Sequence, residues 1–285
     1  MGNHPGTGYE GDVPTITHRN SLGSELRRWR DARRMSQQEL AVRAGTTQRH
    51  LSFVETGRSV PGRPLVLRLA ESLGLSLRER NALLTVAGYA PAFTETSLDD
   101  LVLRPVRQAL QQVLTGHMPY PAVVAGPHGE IVAANEAIEV LTEGAAPELL
   151  ISPVNIWRLA LHPRGMAARV ENLATWGRHV VEGIRAQSVR HPDPHLDELI
   201  TELSGYLPVA PPPDRDYIGF AVPLRLHTPD GTLQLLTTLT SFATAIDVTL
   251  AELHLEAWLP ADQTATDLLR HRAAASAVSG DDHRL

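Results

Sequence analysis

From Leu22 onward, apolar residues recur every three or four positions over about seventy residues, a helical period that predicts five short helices in succession. Leu22, Leu26 and Trp29 mark the first. Ser36 with Glu39 three residues on is a capping box, so a second helix starts there, buries Leu40, Ala41 and Ala44, and stops at Gly45, where a positive φ turns the corner. Thr46 or Thr47 caps a third helix with Leu51 and Val54 facing inward. Val66, Leu67, Leu69, Ala70 and Leu73 form a fourth ending at Gly74, and a second capping box, Ser76 to Glu79, opens a fifth carrying Leu83, Leu84 and Ala87. Arg30 is placed to pair with Glu55 at the end of the third helix, as scaffold.

Two short helices joined by a tight glycine turn over 36–57 have the layout of a helix-turn-helix that docks in the major groove of DNA. Thr47, Gln48, Arg49 and Ser52 then point outward near the start of the second helix and are the base-reading set. Gln48 and Arg49 lead it, because Gln pairs bidentately with adenine and Arg with guanine. Gln37, at the start of the first motif helix, is placed to meet a phosphate, while Arg43 and Arg58 are read equally as solvated or as phosphate contacts.

Beyond this region the period changes. Gly88–Ser97 reads as a linker, followed by a connecting helix through Leu98, Leu101, Val102, Val106, Leu110 and Val113 that Pro105 kinks, a candidate dimer contact. Ala122–Ala125 and Ile131–Ala134 around a Pro127–Glu130 turn read as a β-hairpin, and Asn135 as the cap of a helix holding Ile138 and Leu141. Two helical stretches at about 153–162 and 165–188, a Pro-rich loop at 191–213, and extended segments at 217–227, 233–242 and 250–259 follow. Strands, helices and strands in that order predict an antiparallel sheet with helices packed on one face and room beneath them.

That space has an aliphatic wall in Val124, Ile131, Ile156, Leu159, Leu161, Met166, Val170, Leu173, Phe220, Val222, Leu235 and Leu239, with Asn155, Arg158 and His162 as polar anchors. An acyl chain with a carboxylate or amide head suits it. The same aliphatic spacing also builds plain core, and Arg158 pairs equally well with a carboxylate of the sheet.

Charge separates the two regions. Residues 21–90 hold twelve Arg against six acidic residues, whereas 91–285 hold thirteen Arg against twenty-four, so the overall net charge of −6 conceals a basic N-terminal third built to meet phosphates. With no cysteine in the chain, structural disulfides, thiolate nucleophiles, iron–sulfur sensors and Cys-ligated zinc are excluded. There is no apolar run of ~20 residues, nor a basic start with an apolar core for export, so a cytoplasmic protein without membrane contact is expected. Gly6–Gly11 matches GxGxxG without a preceding strand or following helix and reads as chance. His191 and His195 flank Asp193, but the intervening prolines favour a solvated loop over a metal site. No Gly-x-Ser-x-Gly elbow exists, and no enzyme, cofactor or metal is expected.

The motif 36–57 resembles the XRE, lambda-repressor-like, class, and Arg49–Ser59, Leu77–Leu84 and Ala87–Pro91 are similar to the MmyB-like regulators. The likeness continues through His117–Ala122, Ala134–Asn135, Asn155 with Arg158–Pro163, Asn172 with Trp176, Asp247–Leu253 and Pro260–Asp262, covering about 20–270. The resemblance implies a transcription factor whose second domain is a PAS-like module, seen in a relative with a fatty acid bound, and adds Trp176 to the ligand set. The expected organisation is a disordered tail over 1–19, an all-α five-helix DNA-binding domain over 20–90, linker and connecting helix over 91–116, an α+β PAS-like ligand-binding domain with an antiparallel sheet over 117–270, and a disordered tail over 271–285. A homodimer on a roughly two-fold operator in double-stranded DNA, gated by a hydrophobic small molecule, follows. The rival reading keeps DNA binding but gives the second domain only dimerisation or protein contacts.

Overall fold

The computed structural model describes residues 21–209, 221–242 and 245–281, with side chains to 275. The chain divides into two units, 1–93 and 94–285.

In the first, five helices form as the apolar period requires: α1 Leu22–Ala32, α2 Gln37–Arg43, α3 Gln48–Glu55, α4 Arg63–Ser72 and α5 Leu77–Val86. Ser36 accepts the Glu39 N–H at 3.1 Å, but Glu39 turns its carboxylate to Arg43 instead of closing the box. The Ser76–Glu79 box is complete. Thr47, not Thr46, caps α3 by accepting the His50 N–H at 3.2 Å, and Gly45 turns the corner at φ 63°. Leu26, Trp29, Leu40, Leu51, Val54, Val66, Leu69 and Leu84 share one core. Arg30 binds Glu55 through Nε at 2.8 Å, as expected. Gly23 is buried against the end of α3, where a Cβ would lie 2.4 Å from the Glu55 carbonyl oxygen. α1 approaches that closely only because position 23 has no side chain.

In the second unit, α6 (Arg104–Gly116) has Pro105 in its first turn, where the missing N–H is harmless, so the proline starts the helix and does not kink it. Five antiparallel strands, β1 Ala122–Ala125, β2 Ile131–Ala134, β3 Leu224–Thr228, β4 Gly231–Ser241 and β5 His254–Pro260, lie in the order β2-β1-β5-β4-β3. Both faces of the sheet are covered, correcting the one-sided expectation. Leu110 and Leu114 of α6, with Val106 beside them, pack on Ala122, Val124, Leu255 and Ala257. The other face carries the larger core beneath α8 (Ile156–Leu161), α9 (Leu173–Arg190) and α10 (Pro194–Gly205). Short helices α7 (Glu139–Thr142) and α11 (Val248–Glu252) complete the unit with α12 (Gln263–Asp281).

Several local expectations change. The stretch 165–188 is a 3-10 turn, Met166–Arg169, followed by α9. The anticipated loop after 191 contains α10: Asp193 caps it, Pro194 opens it, and Leu196, Leu199, Ile200 and Leu203 are its buried face. The last extended segment begins with α11. α12 continues through the alanine run into the stretch assigned to a tail, as alanine's helix propensity favours. Asn135 stands ahead of the 3-10 turn Glu136–Ile138 without a capping hydrogen bond; it is buried, donating to the Leu114 and Tyr120 carbonyls and accepting from the Ala122 N–H. Gly129, at φ 83° in the first hairpin turn, lies on the Trp157 indole, 2.7 Å from where its Cβ would be. Phe220, the segment 217–220, the 1–19 tail with its GxGxxG and the residues from 282 lie outside the described residues.

Candidate nucleic-acid interface and ligand pocket

The outer surface of α3 follows from its buried side. Leu51 and Val54 enter the core, which leaves Thr47, Gln48 and Arg49 exposed and Ser52 half-buried. The Arg49 guanidinium lies 5.5 Å from the Phe53 ring centroid and that of Arg58 at 6.0 Å, so one aromatic face carries two cations. Arg43 is paired with Glu39 at 2.8 Å, and the Thr47 hydroxyl serves as cap.

Gln37 points its amide nitrogen at Glu55 Oε2 (2.8 Å) instead of outward to a phosphate. Glu55, whose side chain is 0% exposed, thus gathers Arg30, Gln37 and, at 3.6 Å, Arg27. Burial raises its pKa, but the Arg30 and Gln37 hydrogen bonds outweigh that and hold it below the ordinary carboxylate value. The recognition helix is therefore fixed to α1 and α2 by charge as well as by packing.

In the second unit the expected ligand residues separate into two places. Ile156, Leu159, Met166, Val170, Trp176 and Val222 are buried in one core, with Leu173 packed against it. Arg158 is on the opposite side of the short helix α8, 46% exposed, and makes a bidentate pair with Glu202 of α10, both bonds at 2.8 Å. It therefore pairs with a helix, not with the sheet. Asn155 caps α8 by accepting the Arg158 N–H and gives its amide to the His128 carbonyl. His162 accepts the Arg164 N–H, and its ring meets Tyr206 edge-on at 4.9 Å. The polar trio thus does not head the aliphatic wall.

Asn155 and Arg158 instead line an outer cleft of about 410 Å³ with His128, His195, Glu198, Leu199 and Glu202. There His128 Nε2 meets Asp193 at 2.6 Å, so the His-Pro-Asp-Pro-His run is a helix cap tied to the first hairpin and not a free loop. Among the described residues, no group of three or more His, Cys, Asp or Glu could hold a metal ion.

Sequence reasoning missed the polar residues on the inner sheet face. His254, partly buried, and Glu256, buried, stand 3.1 Å apart on β5, the Trp157 ring lies nearly parallel to His254 at 6.3 Å, and Trp258 follows on the same face. The available signal was the alternation His-x-Glu-x-Trp in a strand with both faces covered.

α6 applies its apolar stripe to its own sheet, whereas Leu101 and Val102 ahead of it are 81% and 75% exposed. Among the described residues no helix is long and apolar enough to cross a membrane.

Residues 106–271 match the family model of the MmyB-like transcription regulator ligand binding domain, and residues 21–83 that of a helix-turn-helix domain. An uncharacterized HTH-type transcriptional regulator, y4dL, of Sinorhizobium fredii (strain NBRC 101917 / NGR234) is 42% identical over 56 residues, 20% of this chain and 29% of that protein. The chain therefore spans less than a third of that relative's length. A solved structure described as an RNA-binding Light-Oxygen-Voltage receptor aligns over 90% of this chain and 64% of the other at 16% identity, with a TM-score of 0.29, too low to carry any argument.

Proposed function

This chain belongs to the MmyB-like transcription regulators, DNA-binding proteins with a helix-turn-helix and a ligand-binding domain, and from that premise we propose that it is a ligand-gated, dimeric regulator of a two-fold operator. The observation that carries the reading-head half is the exposure of Gln48 and Arg49 on a helix whose other side is locked by Leu51, Val54 and the Glu55 pairs, in a region with twelve Arg to six acidic residues. Rigid placement matters because bidentate recognition of a base edge tolerates little misalignment.

The ligand is a hydrophobic small molecule of the acyl class, supported by the aliphatic residues gathered on the inner face of the sheet. It acts by binding one dimer arrangement better than another, and that difference in affinity sets how far the equilibrium moves. A dimer is favoured because a single module binds DNA weakly and two half-sites raise effective concentration.

Two measurements test this. Selection from random duplexes, followed by salt titration, should yield a symmetric site with salt-sensitive affinity. Native mass spectrometry of the purified chain should show a dimer carrying a small apolar compound. A monomer that selects no site would overturn the regulator reading. A dimer that binds DNA with no compound bound, whose melting is unchanged by lipid extraction, would leave the second domain a dimerisation module.

A further inference from the structure

Trp258 on β5 pairs with Thr237 of β4, and Glu256 with Leu239. Directly paired residues of antiparallel strands project from the same face with Cβ atoms about 4.5–5.5 Å apart, and two positions along a strand add roughly 6.6 Å. These four side chains therefore form one patch on the face that carries the core beneath α8–α10.

Three properties of the patch do not belong to ordinary core. Trp258 is 3% exposed, yet its Nε1–H, a group that only donates, has no acceptor. A buried donor left unpaired is destabilising, and a bound acceptor relieves it. Glu256, also buried, is engaged among the described residues through one oxygen, by His254. Leu239, directly opposite Glu256, is 68% exposed. A second buried atom without a partner, Arg169 Nε, differs in kind, because its guanidinium is already held by the Val140 and Leu141 carbonyls.

We infer that this patch holds the polar head of the ligand, and that the head is uncharged and both accepts and donates hydrogen bonds, as a primary amide or a hydroxyl does. The inference rests on the ligand-binding reading proposed above and specifies its chemistry. Trp258 donates to the oxygen of the head, the head donates to Glu256, and the chain lies over Leu239. A carboxylate head would satisfy Trp258 but would face Glu256 with like charge and nothing to donate. The Arg158 guanidinium, which would suit a carboxylate, is engaged by Glu202 in the outer cleft.

The test titrates decanamide, decan-1-ol and decanoate into the full chain stripped of lipid, at neutral pH, by calorimetry. Decanamide and decanol should bind about tenfold or more tightly than decanoate, and Trp258→Phe should cost the amide about tenfold, the scale of one good hydrogen bond. Glu256→Gln should raise decanoate affinity, a gain that a misfolded variant cannot imitate. Binding of all three probes with equal affinity, a preference for decanoate, or a Trp258→Phe variant that binds decanamide as well as the parent would overturn the assignment of the head while leaving an acyl-class ligand intact. Binding of none would overturn both this inference and the reading it rests on.

Discussion

Thr96 gives its hydroxyl hydrogen to Asp247 at 2.7 Å, joining residues 151 positions apart. The same carboxylate oxygen accepts the Thr94 hydroxyl at 2.9 Å and the Thr96 N–H at 3.1 Å, while the other takes the Thr249 and Leu250 N–H groups. Burial raises the Asp247 pKa, but these hydrogen bonds outweigh it and leave the pKa lowered. A lowered folded value contributes stability that is complete above the ordinary carboxylate range and is lost as pH falls through the folded value. Asp247→Asn should therefore cost the second unit about 1–3 kcal/mol near neutrality and flatten the acid limb of its stability profile. Urea unfolding at a series of pH values reads both effects.

Arg49→Ala should cost about 1–3 kcal/mol on a selected operator and relax preference at one base pair, whereas Arg43→Ala should weaken all sequences alike and reduce the salt slope by about one. Fluorescence anisotropy on the selected site and its single-base variants separates the two outcomes.

Glu55 touches no base in the proposed docking, yet Glu55→Ala should be more damaging to the first unit than either arginine change. It leaves Arg30, whose side chain is 12% exposed, with only Asp31 and the Met35 carbonyl, and removes the acceptor of Gln37. Leaving a buried charge wholly unpaired costs about 3–5 kcal/mol, and the pair that Arg30 keeps with Asp31 brings the expected loss toward or below the lower end of that range. Thermal melting of the helical signal is expected to fall, with operator affinity following it.

Arg158→Ala supplies the contrast. Its pair with Glu202 is half open to solvent, so the expected loss of stability is about 1 kcal/mol or less. Affinity for an acyl-class ligand should be unchanged, because Arg158 faces the outer cleft. A large loss in calorimetric titration would return the head group to that side.

The five-helix unit was legible because its punctuation is local: Ser36, Gly45, Thr47, Gly74 and the Ser76–Glu79 box each act within four residues. The first hairpin was legible for the same reason, whereas the pairing of β1 with β5 joins segments more than a hundred residues apart and left no local mark. α10 was missed because Pro192 and Pro194 were read as breakers, although proline in a first turn opens a helix and the apolar spacing from Leu196 to Leu203 was present. The candidate ligand residues illegible in sequence depend on distant partners. Arg158 meets Glu202 from 44 positions away, and the donor left open at Trp258 is defined by what surrounds it in space.

Gly129 supports one more relation. Its bare backbone rests on the Trp157 indole, the indole lies against the His254 imidazole, and the imidazole holds Glu256, a column running from hairpin turn to central strand. The residue before Gly129 in the same turn, His128, is hydrogen-bonded to Asp193 at the start of α10. Neighbouring side chains thereby run without a gap from the inner face of the sheet to the outer cleft, and the series leaves no room for a methyl group at position 129.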